Sequence, residues 1–182
     1  MGSWWSDHPD LEGVARRGRG ELYEESVAAE RDAELLRKRR RDLIAVCHEW
    51  MSRGDLVTVA AAGSQFEGNL EAAVNDLLII TTKTLKVAVN VARVQFARSD
   101  RRAEFEGTTG DRTVSSFRAE LGRHEVEGNR VRLVGSEGGF DLTGIIEAST
   151  DDHVLMRDGQ GLEWVLPRNQ LAFAIGEVAS SP

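Results

Sequence analysis

The sequence predicts a mainly β-protein with helices, in which two tandem five-stranded small barrels are each preceded by a helix and a long helix lies at the N-terminal end. Two observations predict this fold. Residues 54–97 and 128–174 place the same residue types in the same order. Within both segments, apolar residues recur at every second position, which is the period of a strand with one buried face.

The similarity between the two segments indicates a duplicated unit. Their spacing changes only between predicted strands. Turns tolerate insertions, whereas a one-residue slip within a strand would turn its buried side chains to solvent. The matched pairs are Gly54 and Gly128, Val57 and Val131, Gly68 and Gly144, Glu71 and Glu147, Ala72 and Ala148, Asp76 and Asp152, Leu85 and Leu162, Phe96 and Phe173, and Ala97 and Ala174.

A long charged helix is predicted over residues 21–53, which contain neither Gly nor Pro. Apolar residues recur every seven positions along it, at Leu22, Ala29, Leu36, Leu43 and Trp50. A stripe of this kind is typical of a helix that buries one face. We expect its C-terminal end, where apolar residues are densest, to pack on the first barrel.

The barrels and their connections follow from the alternation and from turn residues. The first barrel is predicted at residues 54–97, and the second, with its helix, at residues 115–175. Residues 98–114 are rich in charged residues, Gly and Thr, which is typical of an exposed linker, and residues 176–182 are a C-terminal tail. The strands predicted in the first barrel span residues 56–60, 65–73, 76–81, 85–90 and 93–96.

Residues 1–20 are predicted as an N-terminal segment with a short helix. It contains the adjacent tryptophans Trp4 and Trp5. Two neighbouring indoles in a short polar segment cannot both be buried locally, so they either cap a barrel or bind a partner. Trp4 and Trp5 are therefore candidate partner-binding residues.

The charge of the chain argues against indiscriminate binding to nucleic acid. The formal net charge is -7, and an anionic protein is repelled by phosphate at long range. The dense basic run lies on the predicted long helix, at Arg37, Lys38, Arg39, Arg40 and Arg41. It is either a solvated helix face, in which Glu34 pairs with Lys38, or a set of phosphate contacts.

Several function classes have no support in the sequence. A single cysteine excludes an internal disulfide, and neither a secretory signal nor an apolar run of about 20 residues is present, so we expect a cytoplasmic protein without a membrane span. Cys47, His48 and Glu49 are consecutive and point in different directions on a helix. We expect no catalytic, cofactor or metal site, since His8, His124 and His153 are scattered along the chain as well.

Three short segments in each copy resemble the Sm-like family. In the first copy they are residues 54–59 (GDLVTV), 66–70 (FEGNL) and 75–80 (NDLLII). In the second copy they are residues 128–133, 142–146 and 152–156. The resemblance implies five-stranded barrels of Sm-like or SH3-like architecture. It also implies RNA binding and ring assembly through paired edge strands, which are properties of Sm-like proteins.

The resemblance also implies where RNA would bind. The family pocket is formed by a loop that contains Asp and Asn and by a polar or basic second loop. Asn75 and Asp76 match the first loop in the first copy, and Asn90 and Arg93 lie near the second. The corresponding residues of the second copy are Asp151, Asp152, His153, Arg168 and Asn169. Its acidic loop favours a structural or protein-binding role, and ordinary turn formation also explains the Asp residues of both copies.

Two functions follow from these patterns. The first is a non-enzymatic RNA-associated protein that uses tandem Sm-like barrels, with phosphate contacts from the basic run at residues 37–41. The alternative is a protein-interaction adaptor that docks through its barrels, its N-terminal helix and the Trp4–Trp5 segment. A DNA-binding regulator is a weaker third, because a recognition helix also needs base-reading side chains. RNA, a protein partner and a second copy of the chain are the candidate partners.

Overall fold

The computed structural model of the chain describes residues 11–101 and 114–177. Two compact units are present, one ending at Arg41 and the other beginning at Asp42. The first contains helix α1 (Leu11–Arg40), and the second contains helices α2 (Leu43–Arg53) and α3 (Phe117–Glu127) together with ten strands. None of the helices in the described ranges has an apolar stretch long enough to cross a membrane.

The single helix predicted over residues 21–53 is wrong, because the chain leaves the helical conformation at Arg41 and Asp42. Asp42 is the N-terminal cap of α2: its backbone is extended (φ −79°, ψ 172°), and its Oδ1 accepts a hydrogen bond from Ala45 N at 2.7 Å. A short carboxylate that binds a free helical N–H stabilises the start of a new helix rather than a continuing one. Asp42 therefore separates α2 from α1.

The ten strands belong to one antiparallel sheet. Their bounds are β1 Leu56–Ala61, β2 Ser64–Val74, β3 Leu77–Thr81, β4 Leu85–Asn90, β5 Val94–Arg101, β6 Arg130–Gly135, β7 Asp141–Ser149, β8 His153–Asp158, β9 Glu163–Pro167 and β10 Leu171–Glu177. Short 3-10 turns lie at Val91–Arg93, Ser136–Gly138 and Arg168–Gln170. The strand order across the sheet is β5-β1-β2-β3-β4-β10-β6-β7-β8-β9.

The two separate five-stranded barrels predicted from the sequence are wrong. Instead, β4 pairs with β10 in a register that places Val89 opposite Phe173 and Leu85 opposite Glu177, so the strands form a single open sheet. We call this pairing the β4–β10 seam. Among the described strands, β5 and β9 lie at the two edges. The order of the first five strands, β5-β1-β2-β3-β4, is also that of the second five, β10-β6-β7-β8-β9.

Burial of the central strands on both faces explains why the strands form one sheet and not two separate barrels. In β3, Leu77, Leu78, Ile79 and Ile80 are all fully buried. Leu78 and Ile80 belong to a first core, whereas Leu77 and Ile79 belong to a second one on the opposite face. A strand in a separate barrel buries only every second side chain. The continuous apolar run of β3 therefore needs a cover on each side, which a separate five-stranded barrel does not supply.

Each core contains residues from both halves of the sheet. In the first core, Phe66 of β2 meets Phe173 of β10 edge-on, with 4.8 Å between ring centroids, an arrangement that aromatic pairs favour. In the second core, Phe117 of α3 belongs to one cluster with Leu77 of β3 and Met156 of β8. Because the cores are shared in this way, residues 42–101 and 114–177 form one packed unit.

Several predicted boundaries compare directly with the structure. The first four strands agree with their predicted positions to within one residue. The predicted linker at residues 98–114 begins inside β5, which extends to Arg101, and residues 102–113 lie outside the described ranges. The predicted tail at residues 176–182 likewise begins inside β10, which extends to Glu177.

Glycines in the middle of β2 and β7 let the next strand approach closely. A Cβ on Gly68 would lie 2.2 Å from the carbonyl oxygen of Thr81, and a Cβ on Gly144 would lie 2.2 Å from that of Arg157. Both strands also shift register two to four residues later, at Glu71 in β2 and near residue 147 in β7. A glycine and a bulge together favour a bend in a strand, which explains why β2 and β7 have both features at corresponding positions.

We expect Gly68→Ala to destabilise the protein by about 1–3 kcal/mol, because the added methyl group meets the backbone of β3 and cannot be accommodated by a side-chain rotation. Urea denaturation followed by circular dichroism measures the change. Gly122→Ala in α3 is the matched control, since a Cβ there has no heavy atom within 4 Å, and it should raise stability by about 0.5–1 kcal/mol. Equal midpoints for Gly68→Ala and the unmodified chain would contradict this account of β2.

Candidate functional site

A cavity of about 650 Å³ lies where loops of the two halves of the sheet meet. We call it the junction cavity. The first half contributes the β2–β3 connection and the turn after β4, and the second half contributes the β7–β8 connection, the turn after β9 and the start of α3. Its lining residues are Asp76, Asn90, Ala92, Arg93, Phe117, Asp151, Asp152, Pro167, Arg168 and Asn169.

The β2–β3 loop holds the start of α3. Asn75 adopts a left-handed backbone conformation (φ 51°), and its Nδ2 donates to the carbonyl oxygen of Ser115 at 2.8 Å. The carboxylate Oδ1 of Asp76 accepts a hydrogen bond from the backbone N–H of Phe117 at 2.9 Å. Asn75 and Asp76, which were predicted to contact RNA, thus bind backbone groups of the second half.

Two further predicted residues, at the end of β4, make contacts of the same kind. Asn90 is 8% exposed. Its Nδ2 donates to Leu171 O at 3.1 Å, and its Oδ1 accepts from Ala92 N at 3.1 Å. The Nε of Arg93 donates to the carbonyl oxygen of Asn169 at 3.0 Å. The structure therefore brings the four predicted loop residues together at one junction, where each side chain binds the backbone of the second half.

The junction cavity carries charge of both signs. Its carboxylates belong to Asp76, Asp151 and Asp152, and its guanidinium groups belong to Arg93 and Arg168. A phosphate group at this position would meet more carboxylates than cations, and the unfavourable charge balance opposes binding of an anion. The arrangement suits a mixed polar ligand better than a bare phosphate.

In the β7–β8 loop, neighbouring side chains form hydrogen bonds to the Asp152 carboxylate. His153 Nδ1 lies 2.6 Å from Asp152 Oδ1, and the Thr150 hydroxyl donates to the same oxygen at 2.9 Å. These two contacts lower the pKa of the Asp152 carboxyl, which is ionised at neutral pH even at its ordinary pKa. The neighbouring Asp151 forms an ion pair with Arg118 of α3. The second-copy loop therefore connects to α3, as its counterpart in the first half does.

The predicted basic run lies at the end of α1. Arg37, Lys38, Arg39 and Arg40 form the last turn of this helix and are exposed. Lys38 Nζ lies 2.8 Å from Glu34 Oε1, which is the pairing expected from the sequence, and the contact lowers the pKa of Glu34. The basic run belongs to the unit that ends at Arg41, whereas the junction cavity belongs to the unit that begins at Asp42. Trp4 and Trp5 lie outside the described residues.

The β9 edge exposes apolar side chains that sequence reasoning did not single out as a site. Among the described strands, β9 pairs only with β8. The exposed fractions are 54% for Leu162, 37% for Trp164 and 62% for Val165. The Trp164 indole N–H donates to Asp158 Oδ2 at 2.9 Å, which fixes the ring at the end of the strand. The signal in the sequence was the run Leu162-Glu163-Trp164-Val165, which has apolar residues on both faces of one strand.

The opposite edge of the sheet is β5. Among the described strands it pairs only with β1. Phe96 is the large apolar side chain exposed on it, at 43%. The sheet therefore ends on both sides in a strand with an exposed aromatic or aliphatic side chain, at Phe96 on one side and Val165 on the other.

The described residues contain no group of three or more His, Cys, Asp or Glu side chains placed to hold a metal ion. Cys47 is fully buried, and burial raises the pKa of its thiol to about 11. A protonated thiol is a poor nucleophile at neutral pH. His48, next to it in sequence, is exposed on α2, so these neighbours do not form a shared site.

Comparisons with protein-family models, with curated proteins and with solved structures found no match. A functional conclusion therefore depends on the residues and the geometry of this chain alone.

We expect Asn90→Ala to destabilise the protein by about 1–3 kcal/mol, because it leaves the buried Leu171 carbonyl without its donor. The control is Asn169→Ala, an exposed residue of the same cavity that uses only its backbone oxygen in the contact with Arg93. This control should stay within about 0.5 kcal/mol of the unmodified chain. Urea unfolding measures the stability of both variants. Equal losses of unfolding free energy in Asn90→Ala and Asn169→Ala would refute the structural role of Asn90.

Proposed function

We propose that the chain is a non-enzymatic protein-interaction adaptor that associates with further copies of itself through the two edges of its sheet. The observation that carries this proposal is the β4–β10 seam. It is an antiparallel pairing between the fourth strand of the first five and the last strand of the second five. The chain thus contains one complete example of the contact that two copies would make.

The positions of the edge strands support the same conclusion. The two halves of the sheet have the same strand order, so each strand has a counterpart in the other half. The counterpart of β9 is β4, and the counterpart of β5 is β10. Pairing of β9 in one copy with β5 in the next would therefore repeat the seam. Such a head-to-tail contact uses different surfaces on the two partners, and backbone hydrogen bonds of an added strand supply much of the affinity.

Exposed apolar residues beside β9 also favour a partner there. In the first half, Ile79 of β3 lies opposite Ala88 of β4, and both are buried in the second core with α3. In the second half, Leu155 of β8 lies opposite Val165 of β9, and Val165 is exposed. Since α2 precedes β1 as α3 precedes β6, the α2 helix of a second copy would cover Val165.

Charge and hydrogen bonding rank the adaptor above RNA binding. The net charge of -7 opposes phosphate. The side chains of Asn75, Asp76, Asn90 and Arg93 already bind backbone atoms of the second half. RNA would have to compete with those contacts.

The buried thiol of Cys47, without a disulfide partner, fits a reducing compartment such as the cytoplasm.

An RNA-associated protein is the second candidate, and the two guanidinium groups of the junction cavity are the observation in its favour. Arg93, Arg168 and Asn169 line this cavity, and guanidinium and amide groups suit the edges of unpaired bases better than they suit a duplex. The resemblance of the sequence to Sm-like proteins supports this candidate. The exposed basic run at residues 37–41 would add phosphate contacts.

We expect Val165→Glu to weaken self-association at least about tenfold, because a carboxylate would be buried in the β9 contact without a partner. Sedimentation velocity over a concentration series measures the shift towards the monomer. Val126→Glu is the matched control, since Val126 is 88% exposed on α3, and it should leave association unchanged. A chain that stays monomeric at every concentration, or a Val165→Glu variant that assembles normally, would contradict the proposal.

The RNA candidate predicts binding of a single-stranded RNA oligonucleotide with an affinity that falls several-fold between 50 and 200 mM salt. Arg168→Glu should weaken this binding at least about tenfold, because it reverses one of the two cations in the cavity. Lys83→Glu, an equal charge change in the exposed β3–β4 turn, is the control. Fluorescence anisotropy is the readout. Absence of binding, or equal effects of both variants, would exclude the junction cavity as an RNA site.

A further inference from the structure

A buried histidine lies directly over the β4–β10 seam. His124 of α3 is 4% exposed. Its ring occupies the space left by the missing side chain of Gly176 in β10, where a Cβ would lie 2.6 Å from His124 Cε1. In the sheet, Gly176 is opposite Lys86 of β4 on one side and Val131 of β6 on the other. The imidazole therefore packs on the backbone where the two halves of the sheet join.

The charged groups that face this ring come from α3 and β4. On α3, Glu120 Oε1 lies 3.7 Å from His124 Nε2. Arg123 precedes His124 by one residue, and Glu127 follows it by three. On β4, the facing cation is Lys86. The two anions raise the pKa of the imidazole and the two cations lower it.

The acidic neighbours are already engaged by cations. Glu120 is 1% exposed, and its Oε2 accepts a hydrogen bond from Arg123 Nε at 3.0 Å. Glu127 Oε1 lies 2.7 Å from Arg123 Nη1. The Nδ1 of His124 has no hydrogen-bond partner among the described residues. A proton on Nδ1 would therefore produce a buried N–H donor and a positive charge without a matching acceptor.

We propose that α3 is an acid-sensitive clamp on the β4–β10 seam, in which protonation of His124 places an uncompensated cation against β10 and loosens α3 and the seam. The neutral ring packs on Gly176 and holds the helix over the junction. The Nδ1–H of the charged ring would need water or an acceptor, and movement of α3 away from β10 would let it reach one. The proposed clamp acts on the β4–β10 seam within one chain, so it does not depend on self-association or on RNA binding.

The direction of the pH effect follows from linkage. Burial lowers the pKa of His124 below its ordinary value of 6.5, and this effect outweighs the opposite effect of Glu120. Between the two values the opened state binds more protons than the closed state. The stabilisation is therefore fully present above pH 6.5 and is lost as the pH falls from there towards the folded-state pKa. At pH 5.5 the opening equilibrium increases by up to about tenfold.

Amide hydrogen exchange of the full chain tests the clamp. After correction for intrinsic exchange rates, we expect the amides of β4, β10 and α3 to open up to about tenfold more at pH 5.5 than at pH 7.5, whereas those of β1 and β2 change less. His124→Gln removes the titrating group and should abolish the difference. His48→Gln is the control, because His48 is exposed on α2, and it should behave as the unmodified chain does.

Two results would overturn the proposal. One is an unchanged pH response of the seam amides in His124→Gln. The other is a titration midpoint of the His124 ring at or above 6.5 in the unmodified chain, measured from its ring-proton chemical shifts by NMR. The second measurement needs no variant, so it decides the matter even where His124→Gln does not fold.

Discussion

Burial of β3 and β4 on both faces is the constraint on which the rest of the structure depends. Leu78 and Ile80 face one core while Leu77 and Ile79 face the other, and each buried aliphatic side chain stabilises the fold by about 1.5–3 kcal/mol. Two covers are required for such strands. The first is supplied by α2 with strands of the first half and Phe173 of β10, and the second by α3 with strands of the second half. The ten-stranded sheet follows from this requirement.

The polar residues at the ends of the central strands have their roles set by the same arrangement. A buried backbone carbonyl such as Leu171 O needs a donor, and Asn90 provides it across the junction. In the same way, the carboxylate of Asp76 accepts a hydrogen bond from the first backbone N–H of α3. Side chains that join two halves of a fold are poorly placed to release those contacts for a ligand. Among the described strands, β5 and β9 each pair on one side only, which is why we propose the sheet edges as the interaction surfaces.

Sequence reasoning located the individual strands but not their arrangement. Alternation at Val57 and Val59, and at Val87 and Val89, is local information, and it placed the first four strands to within one residue. The break between α1 and α2 also has a local signal, since Asp42 before an apolar run is typical of a helix N-terminal cap. The seven-residue repeat of apolar positions continues from Leu36 to Leu43 across this break, and it led to the prediction of a single helix. The contact of Asn90 with Leu171 joins residues 81 positions apart, and no periodicity within either segment specifies such a partner.

The β4–β10 seam differs from any contact between chains in one further respect. Because both strands belong to one polypeptide, the two halves of the sheet meet within one molecule, at an effective concentration that is independent of the protein concentration. Dilution leaves that pairing intact, whereas contacts between separate chains follow mass action. The fold is consequently independent of expression level. The self-association that we propose for the two edges of the sheet would instead depend on how much of the protein the cell contains.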